Sequence, residues 1–362
     1  MPDKRVTIRD LARKSGFSTF TVSAALRDSS RVAASTREKI KEIAREAGYV
    51  PSAVLSSLGA ARYREEGKRT LIASVYLVPD DPFWMRQTHN QAGPLEAVAQ
   101  EEGLALRSEW VHSVEALQCQ LQHWQRIGIE GILLNQWVSA KSLADLSIDF
   151  GAFSWLAMCD VDPGTNSPLH SVRPDLQQAI IMAWAKAHEQ GHQRIGAIFP
   201  QHTDTTRFAD DVERWAGVHG AQRYFGQLEP IPPLFIQAEI IDHDHEVATR
   251  EYVEPWLAKH RPDAVAGFNG IVYHFLKRAD HLPPEKLSFI HLDFCEERNQ
   301  IQRITVAGFR ATDKERMRTA LHHLTRMVVQ RERGLPSTPL RTLVPFTWMD
   351  GESLPDRRPG RT

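Results

Sequence analysis

Apolar residues recur every three or four positions in three short stretches near the start of the chain, a spacing that predicts amphipathic helices. Thr7–Asp10 and Ser35–Glu38 match the capping-box pattern that begins a helix, and Ser18 can cap the helix between them. Gly16 can adopt the left-handed conformation that ends the first helix. The inward-facing positions are Ile8, Leu11, Ala12, Val22, Ala25, Leu26, Ile40, Ile43, Ala44 and Ala47. The pattern predicts a helix-turn-helix followed by a third helix.

Beyond Arg69 the pattern changes to short apolar runs that alternate with stretches of helical periodicity. The predicted strands are Leu71–Leu77, Leu104–Trp110, Gly131–Leu134, Ser154–Cys159, Arg194–Phe199, Phe235–Ile241, Ala264–Phe268, Leu287–Leu292 and Ile304–Val306. Strands separated by helices predict parallel sheets with crossover helices. Because these strands are too many for one small sheet, we expect two doubly wound lobes. Their crevice would hold a ligand near the carboxyl ends of the strands.

Charge is distributed unevenly along the 362 residues, although the formal net charge is only −1. Residues 1–69 contain 15 Lys and Arg against 8 Asp and Glu, whereas the remainder contains 29 against 37. A small basic segment attached to a large acidic one is the pattern expected when one end contacts a polyanion. The alternative interpretation is that these cationic residues form an ordinary solvated surface. The coincidence of charge with a helix-turn-helix favours DNA binding.

Other classes of protein are less compatible with the sequence. No apolar run approaches the ~20 residues of a membrane helix and no signal peptide is evident, so we expect a cytoplasmic protein. Three cysteines without a CxxC pair fit neither a disulfide framework nor a zinc knuckle, and we expect them to be buried. Common enzyme motifs are absent, and His243–Glu246 is interpreted as a polar loop. The sequence therefore predicts no enzyme activity, no metal and no cofactor.

Residues 6–58, which begin VTIRDLARKSGFSTFTVSAAL, resemble the DNA-binding domain of the lactose-repressor (LacI/GalR) family of bacterial transcription regulators. The resemblance implies that Thr19 and Phe20, the first exposed residues of the recognition helix, read base edges in the major groove. It further implies that a larger set contacts the DNA backbone, namely Thr7, Ser18, Thr21, Ser23, Arg27, Arg31 and Thr36, with Arg31 also able to reach a base. The family usually has Arg where this chain has Ala24. We therefore expect a different operator sequence.

The segment after Pro51 is too short to be a stable helix alone. In the family this segment is a hinge helix that forms on the operator and pairs with its twin in the homodimer. Its leucine enters the minor groove, and Leu58 lies at that position. An ordinary linker is the alternative.

The remainder of the chain resembles the family's effector-binding body more faintly, through short motifs. Asp81–Trp84 is similar to a turn at the ligand crevice, Arg214–Gly217 to an Arg-x-x-Gly motif, and Phe268–Gly270 to an Asn-Asp turn. The resemblance implies effector contacts from Asp81, Phe83, Trp84, Arg214, Asn269, Asp293 and Phe309. An arginine, an amide and carboxylates beside apolar walls suit a sugar or sugar derivative, while Arg214 equally suits a carboxylate or nucleobase ligand.

These observations predict an all-α helix-turn-helix head plus an α/β, periplasmic-binding-protein-like body with two doubly wound parallel-sheet lobes. The expected units are residues 1–51 (DNA-binding domain), 52–69 (hinge and linker), 70–350 (effector-binding and dimerisation body) and 351–362 (disordered tail). The N-lobe is expected to comprise about 70–190 and 309–336, and the C-lobe about 191–305 and 337–350.

The predicted function is that of a nucleoid-associated homodimeric repressor of palindromic double-stranded operator DNA, controlled by a small molecule. The alternative is a DNA-binding regulator whose body has lost its ligand. The sequence favours neither an inducer nor a co-repressor, because either effect follows from the state that the ligand binds better.

Overall fold

The N-terminal head consists of three helices packed around a small apolar core. The computed structural model describes residues 6, 8–26, 32–47, 49, 71–77, 82–136, 148–158, 168–201, 209–237, 240, 245–267, 287–294, 305–310 and 312–358. The helices are α1 (Ile8–Ser15), α2 (Thr19–Leu26) and α3 (Ala34–Glu46). The buried core residues are Leu11, Val22, Ala25, Val32, Ile40 and Ala44. The predicted three-helix head is confirmed.

Local interactions explain where two of these helices begin and end. Gly16 has a φ of 74°, a left-handed conformation that suits glycine at the end of α1. The Oγ of Ser18 accepts a hydrogen bond of 3.0 Å from the Thr21 amide and caps α2, as predicted. The predicted capping box of α3 is wrong. Its N-cap is Ala33 without a side-chain hydrogen bond, which leaves Ser35 inside the first turn.

Strands and helices alternate throughout the body. In chain order the elements are β1 (Leu71–Leu77), α4 (Pro82–Glu101), β2 (Ala105–Val111), α5 (Val114–Ile127), β3 (Gly131–Gln136), β4 (Ser154–Ala157), β5 (His170–Pro174), α6 (Leu176–Glu189), β6 (Ile195–Gln201), α7 (Ala209–Tyr224), β7 (Leu234–Gln237), α8 (Glu254–His260), β8 (Ala264–Gly267), β9 (Ser288–Phe294), β10 (Gly308–Arg310), α9 (Asp313–Gln330), β11 (Arg341–Val344) and β12 (Thr347–Met349). Two helical turns, His245–Val247 and the π-helical Ala248–Val253, lead into α8, and Phe150–Ala152 forms a 3-10 turn.

The strands form two separate six-stranded sheets, which confirms the prediction of two lobes. The order is β11-β5-β4-β3-β1-β2 in the first sheet and β12-β10-β9-β8-β6-β7 in the second. Every pairing is parallel except that of β10 with β12. Each sheet has an apolar cluster on both faces, so each lobe is a three-layer α/β unit. No helix in the described ranges is long and apolar enough to cross a membrane.

The chain passes between the lobes at three places, which lie elsewhere than expected. The first crossing is Pro174–Asp175, because α6 packs in the second lobe, although residues up to 190 were expected in the first. The second crossing follows Arg310, since β10 belongs to the second sheet. The third lies between Val344 and Thr347, so β11 belongs to the first sheet rather than to the C-lobe. The expected lobe boundaries were wrong because each crossing follows a short strand, namely β5, β10 or β11.

The last predicted strand, Ile304–Val306, also differs from the structure. The strand in this region is β10, three residues long, and described residues 305–307 lie outside it. The backbone of Thr305 accepts a hydrogen bond of 3.2 Å from the Ser353 amide instead of joining a regular ladder. The strands β5, β11 and β12 were not predicted.

The expected disordered tail is wrong for residues 351–358, which pack on the second lobe. Leu354 is buried in the apolar cluster that also contains Phe309. The Oγ of Ser353 donates to the carbonyl of Phe289 and accepts from the amide of Ala307, both at 2.8 Å. The amide of Arg357 donates to the carbonyl of Gln190 at 2.7 Å. One apolar anchor and these hydrogen bonds hold a polar sequence in place.

Candidate functional site

The head presents the amino end of its recognition helix α2 to solvent. Ser18 and Thr19 are exposed and Thr21 is half-buried, with the Oγ of Ser18 and the Oγ1 of Thr21 2.9 Å apart. Thr36, predicted to contact phosphate, is half-buried in the first turn of α3. Phe20 and Ser23 lie on α2, but their side chains are outside the described part. The other predicted contacts, Thr7, Arg27, Arg31 and Leu58, lie outside the described residues. The exposed hydroxyls leave α2 suited to DNA contact.

Several cations of the head are exposed and available to phosphates. They are Arg13, Lys14, Lys39 and Arg45. Arg13 pairs with Asp10 at 3.1 Å, and a surface ion pair of this kind is worth so little that a phosphate can replace it. Arg37 differs, because its Nη1 donates to the Val32 carbonyl at 2.7 Å and fixes the turn before α3. The exposed set fits a phosphate-binding surface.

In the first lobe, polar side chains lie from the middle of β1 to the carboxyl ends of β1 and β3. The Nδ2 of Asn135 donates to the Oγ of Ser74 at 3.0 Å. Burial raises the pKa of Tyr76 to about 12, so its phenol stays neutral. The sequence reasoning missed all three residues. The polar Asn135 at the end of the apolar run GILL was a signal that could have identified this part of the site.

Aromatic rings extend from this polar group towards the surface. Tyr76 stacks on Trp110 with ring centroids 5.2 Å apart, and Trp110 stacks on the exposed His89 at 4.0 Å. The Trp110 indole donates to the Oγ1 of Thr88 at 2.9 Å. Phe83 and Trp84 lie in the first turn of α4, but their side chains are outside the described part, and Asp81 lies outside the described residues.

In the second lobe, α7 carries the predicted Arg214. This side chain is buried, with 5% of its surface exposed. Gly217 explains the close packing of the helix, because a Cβ there would lie 3.2 Å from the Cβ of Ile180 on α6. Asp293 lies near the end of β9, with its side chain outside the described part, and Asn269 lies outside the described residues.

Phe309 occupies a different environment from the one expected of a ligand-contacting aromatic. It is fully buried on β10, and its ring meets Phe346 and Trp348 with centroids 5.9 and 5.1 Å away. This position favours a role in core packing.

The described residues offer no cluster suited to a metal. No group of three His, Cys, Asp or Glu side chains that could hold an ion occurs among them. Glu246, from the predicted polar loop, pairs with Arg250 at 2.8 Å. Cys119 is exposed on α5, contrary to the expectation of burial, whereas Cys159 and Cys295 lie outside the described part.

Comparison with known proteins agrees with this architecture. The family model described as bacterial regulatory proteins, lacI family, matches residues 7–52. The lacI family model thus matches the head of this chain. A segment of 195 residues is 29% identical to the HTH-type transcriptional repressor CytR of Escherichia coli strain K12 and covers 53% of each protein. The match therefore spans about half the length of this curated relative.

Solved structures that resemble this chain confirm the fold. The lac repressor dimer bound to operator and the anti-inducer ONPF is 17% identical, with a TM-score of 0.59 over 97% of this chain and all of that one. A complex of the regulator CelR with cellobiose is 18% identical, with a TM-score of 0.58 over 96% and 100%. A CCPA structure from Weissella paramesenteroides with bound glucose is 14% identical, with a TM-score of 0.54 over 79% and 99%.

Proposed function

We propose that this protein is a sequence-specific DNA-binding transcriptional repressor whose operator affinity is controlled by a small molecule bound between the two lobes. The proposal rests on one observation: a head that matches the lacI family model is joined to a body of two lobes, between which the chain passes three times. A body of this kind can close on a ligand at the carboxyl ends of its strands. Closure would change the arrangement of the two lobes relative to the head.

The proposed DNA contacts divide into two kinds. Thr19 and Phe20 read base edges, while Thr7, Ser18, Thr21, Ser23, Arg27, Arg31 and Thr36 hold the phosphate backbone. Leu58 of the proposed hinge enters the minor groove. Exposure of Ser18 and Thr19 at the amino end of α2 supports the assignment.

Selection of bound sequences from a random DNA pool tests this part of the proposal. We expect a palindromic operator that differs from the usual family sequence, because Ala24 supplies no hydrogen-bonding group. Thr19→Ala should change the selected bases, whereas Lys14→Ala should weaken binding to all sequences alike. Thr319→Ala, far along the chain on α9, serves as the control. Recovery of the ordinary family operator would contradict the role given to Ala24.

The proposed effector is a sugar or a sugar derivative. Two structures of similar fold hold cellobiose and glucose. This chain places a neutral hydrogen-bonding group, Asn135, near the carboxyl end of β3, where it contacts Ser74 in the middle of β1. Arg214, with Asp81, Phe83, Trp84, Asn269 and Asp293, completes the proposed site. A carboxylate or a nucleobase is the second candidate, because a buried guanidinium also suits such ligands.

Calorimetric titration with sugars, carboxylates and nucleobases tests the effector. We expect one class to bind the wild type, and Arg214→Gln to weaken that binding by at least about tenfold, the loss typical of a charged hydrogen bond. Arg223→Gln is the matched control on the exposed face of α7. Circular dichroism verifies that both variants fold. If operator affinity is unchanged by every compound that binds, the protein is a ligand-independent regulator.

The proposal also implies a cytoplasmic homodimer. Single heads bury little DNA surface, and a two-fold operator requires two of them. Sedimentation of the full chain with and without operator tests this, since a complex of one protomer per duplex would contradict it.

A further inference from the structure

A group of three charged side chains connects the two lobes beside the crossings. Arg173 lies on β5 and Arg341 on β11 of the first lobe, while Glu213 lies on α7 of the second. The Nη2 of Arg173 is 2.9 Å from the Oε1 of Glu213, and the Nη1 of Arg341 is 3.8 Å from the same oxygen. Both contacts are ion pairs that join the two lobes. We call this group the inter-lobe ion cluster.

The strand register explains why both arginines reach one carboxylate. Arg341 lies opposite Ser171 in the parallel pairing of β11 with β5. Side chains alternate along a strand, so Ser171 and Arg173 point to the same face, and Arg341 shares that face. The approach of α7 to this edge of the sheet places Glu213 between the two guanidinium groups.

The cluster lies where movement between the lobes would begin. Pro174, next to Arg173, leads into the first crossing, and Val344, at the end of β11, leads into the third. The amide of Asp175 donates to the carbonyl of Val344 at 3.0 Å, which fastens these two crossings to each other. A rotation of the lobes about the crossings would therefore separate Glu213 from the arginines.

Burial makes such a separation costly. The side chain of Arg173 is only 4% exposed, whereas those of Glu213 and Arg341 are 27% and 51% exposed. A buried guanidinium whose carboxylate moves away loses an attraction that offsets the cost of its burial. The cluster thus favours one arrangement of the lobes over arrangements that separate them.

We propose that Glu213 is the latch of the body: it holds the lobes in one arrangement through Arg173 and Arg341, and its release shifts operator affinity. Glu213 immediately precedes Arg214 on α7, so ligand contact at Arg214 would displace the helix that carries the latch. The effect on operator affinity rests on the proposed function, whereas the latch itself does not.

Hydrogen exchange of the full, ligand-free chain tests the latch without DNA. Glu213→Gln removes the charge and keeps the shape, so amides around Asp175 and Val344 should exchange at least about threefold faster. Arg341→Gln should give a smaller increase, and Arg341→Lys should return exchange towards the wild-type rate. Glu229→Gln is the matched control, because it breaks the pair of Glu229 with Arg194 inside the second lobe, at 3.0 Å.

Operator titration of the same variants tests the regulatory role. Glu213→Gln should change affinity at least about fivefold, whereas Glu229→Gln should not. Unchanged exchange at the crossings, or an equal change in the control, overturns the latch. Faster exchange with unchanged operator affinity overturns the regulatory role. Wild-type protein that binds no operator contradicts the proposed function instead, and the exchange result still decides the latch.

Discussion

At the scale of single residues, the hydroxyl of Ser18 links the sequence of the head to its proposed role. It accepts a hydrogen bond from the Thr21 amide and satisfies one of the unpaired donors that begin every helix. The same exposed hydroxyl faces the solvent from which DNA would approach. One side chain can thus fix the start of α2 and then contact phosphate.

Ser18→Ala should lower the free energy of unfolding of the head by about 1 kcal/mol, because the cap is lost. Urea denaturation, monitored by hydrogen exchange of the amides of α1 to α3, measures this loss of stability. Ser35→Ala is the matched control, since Ser35 does not cap α3 and should change stability by only a few tenths of a kcal/mol. Equal losses in both variants would show that the cap contributes nothing specific.

Several residues of the candidate site could be predicted from sequence alone, and others could not. Ser18 was identifiable because a cap acts within three residues of itself. Asn135 and Ser74 were missed because they meet only when β3 pairs with β1. Phe309 was predicted to contact ligand, yet its environment depends on Phe346 and Trp348, which are distant in sequence.

At the scale of elements, long apolar runs and helices were predictable, and short crossing strands were not. The bounds of β1 agree with the prediction because six of its seven residues are apolar. By contrast, β5 reads HSVRP and β11 reads RTLV, and neither has an apolar run or regular alternation. Their conformation comes from pairing with each other and with β4, which is a tertiary effect.

The docked segment 351–358 yields an element-scale prediction. Leu354→Ala should lower the free energy of unfolding by about 2–5 kcal/mol, because it removes a buried side chain from the core of the second lobe. Leu228→Ala is the matched control, since Leu228 is 98% exposed and should change stability little. Urea denaturation measures both. A loss near zero for Leu354→Ala would mean that the segment is not held by its apolar anchor.

At the scale of the whole molecule, charge separation between head and body predicts how binding responds to salt. The basic head should meet phosphates while the acidic body avoids them, so the logarithm of operator affinity should fall linearly with the logarithm of salt concentration. Lys39→Ala should reduce the slope by about one unit. Lys186→Ala removes a partly exposed cation on α6 of the body and should leave the slope unchanged. Fluorescence anisotropy over a salt series measures both slopes.

The stability of the whole molecule should fall as the solution becomes mildly acidic. Burial lowers the pKa of several histidines, and that of His291 falls from 6.5 to about 4. The other histidines whose pKa is lowered are His170, His188, His192, His260 and His323. The unfolded chain takes up protons near pH 6.5 while the folded chain does not, so stability is complete above that pH and is lost below it.

His291 alone should contribute about 2 kcal/mol to the loss between pH 7.5 and pH 5, since each pKa unit corresponds to about 1.4 kcal/mol. This range stays above the ordinary pKa of Glu101 and Glu102, whose lowered pKa values would add a further loss at lower pH. Urea denaturation of the wild type and of His291→Gln at each pH measures the effect. The variant should begin less stable but lose less on acidification, whereas His219→Gln, at an exposed position on α7, should follow the wild-type profile. Parallel profiles for all three proteins would show that the buried imidazole of His291 does not control acid stability.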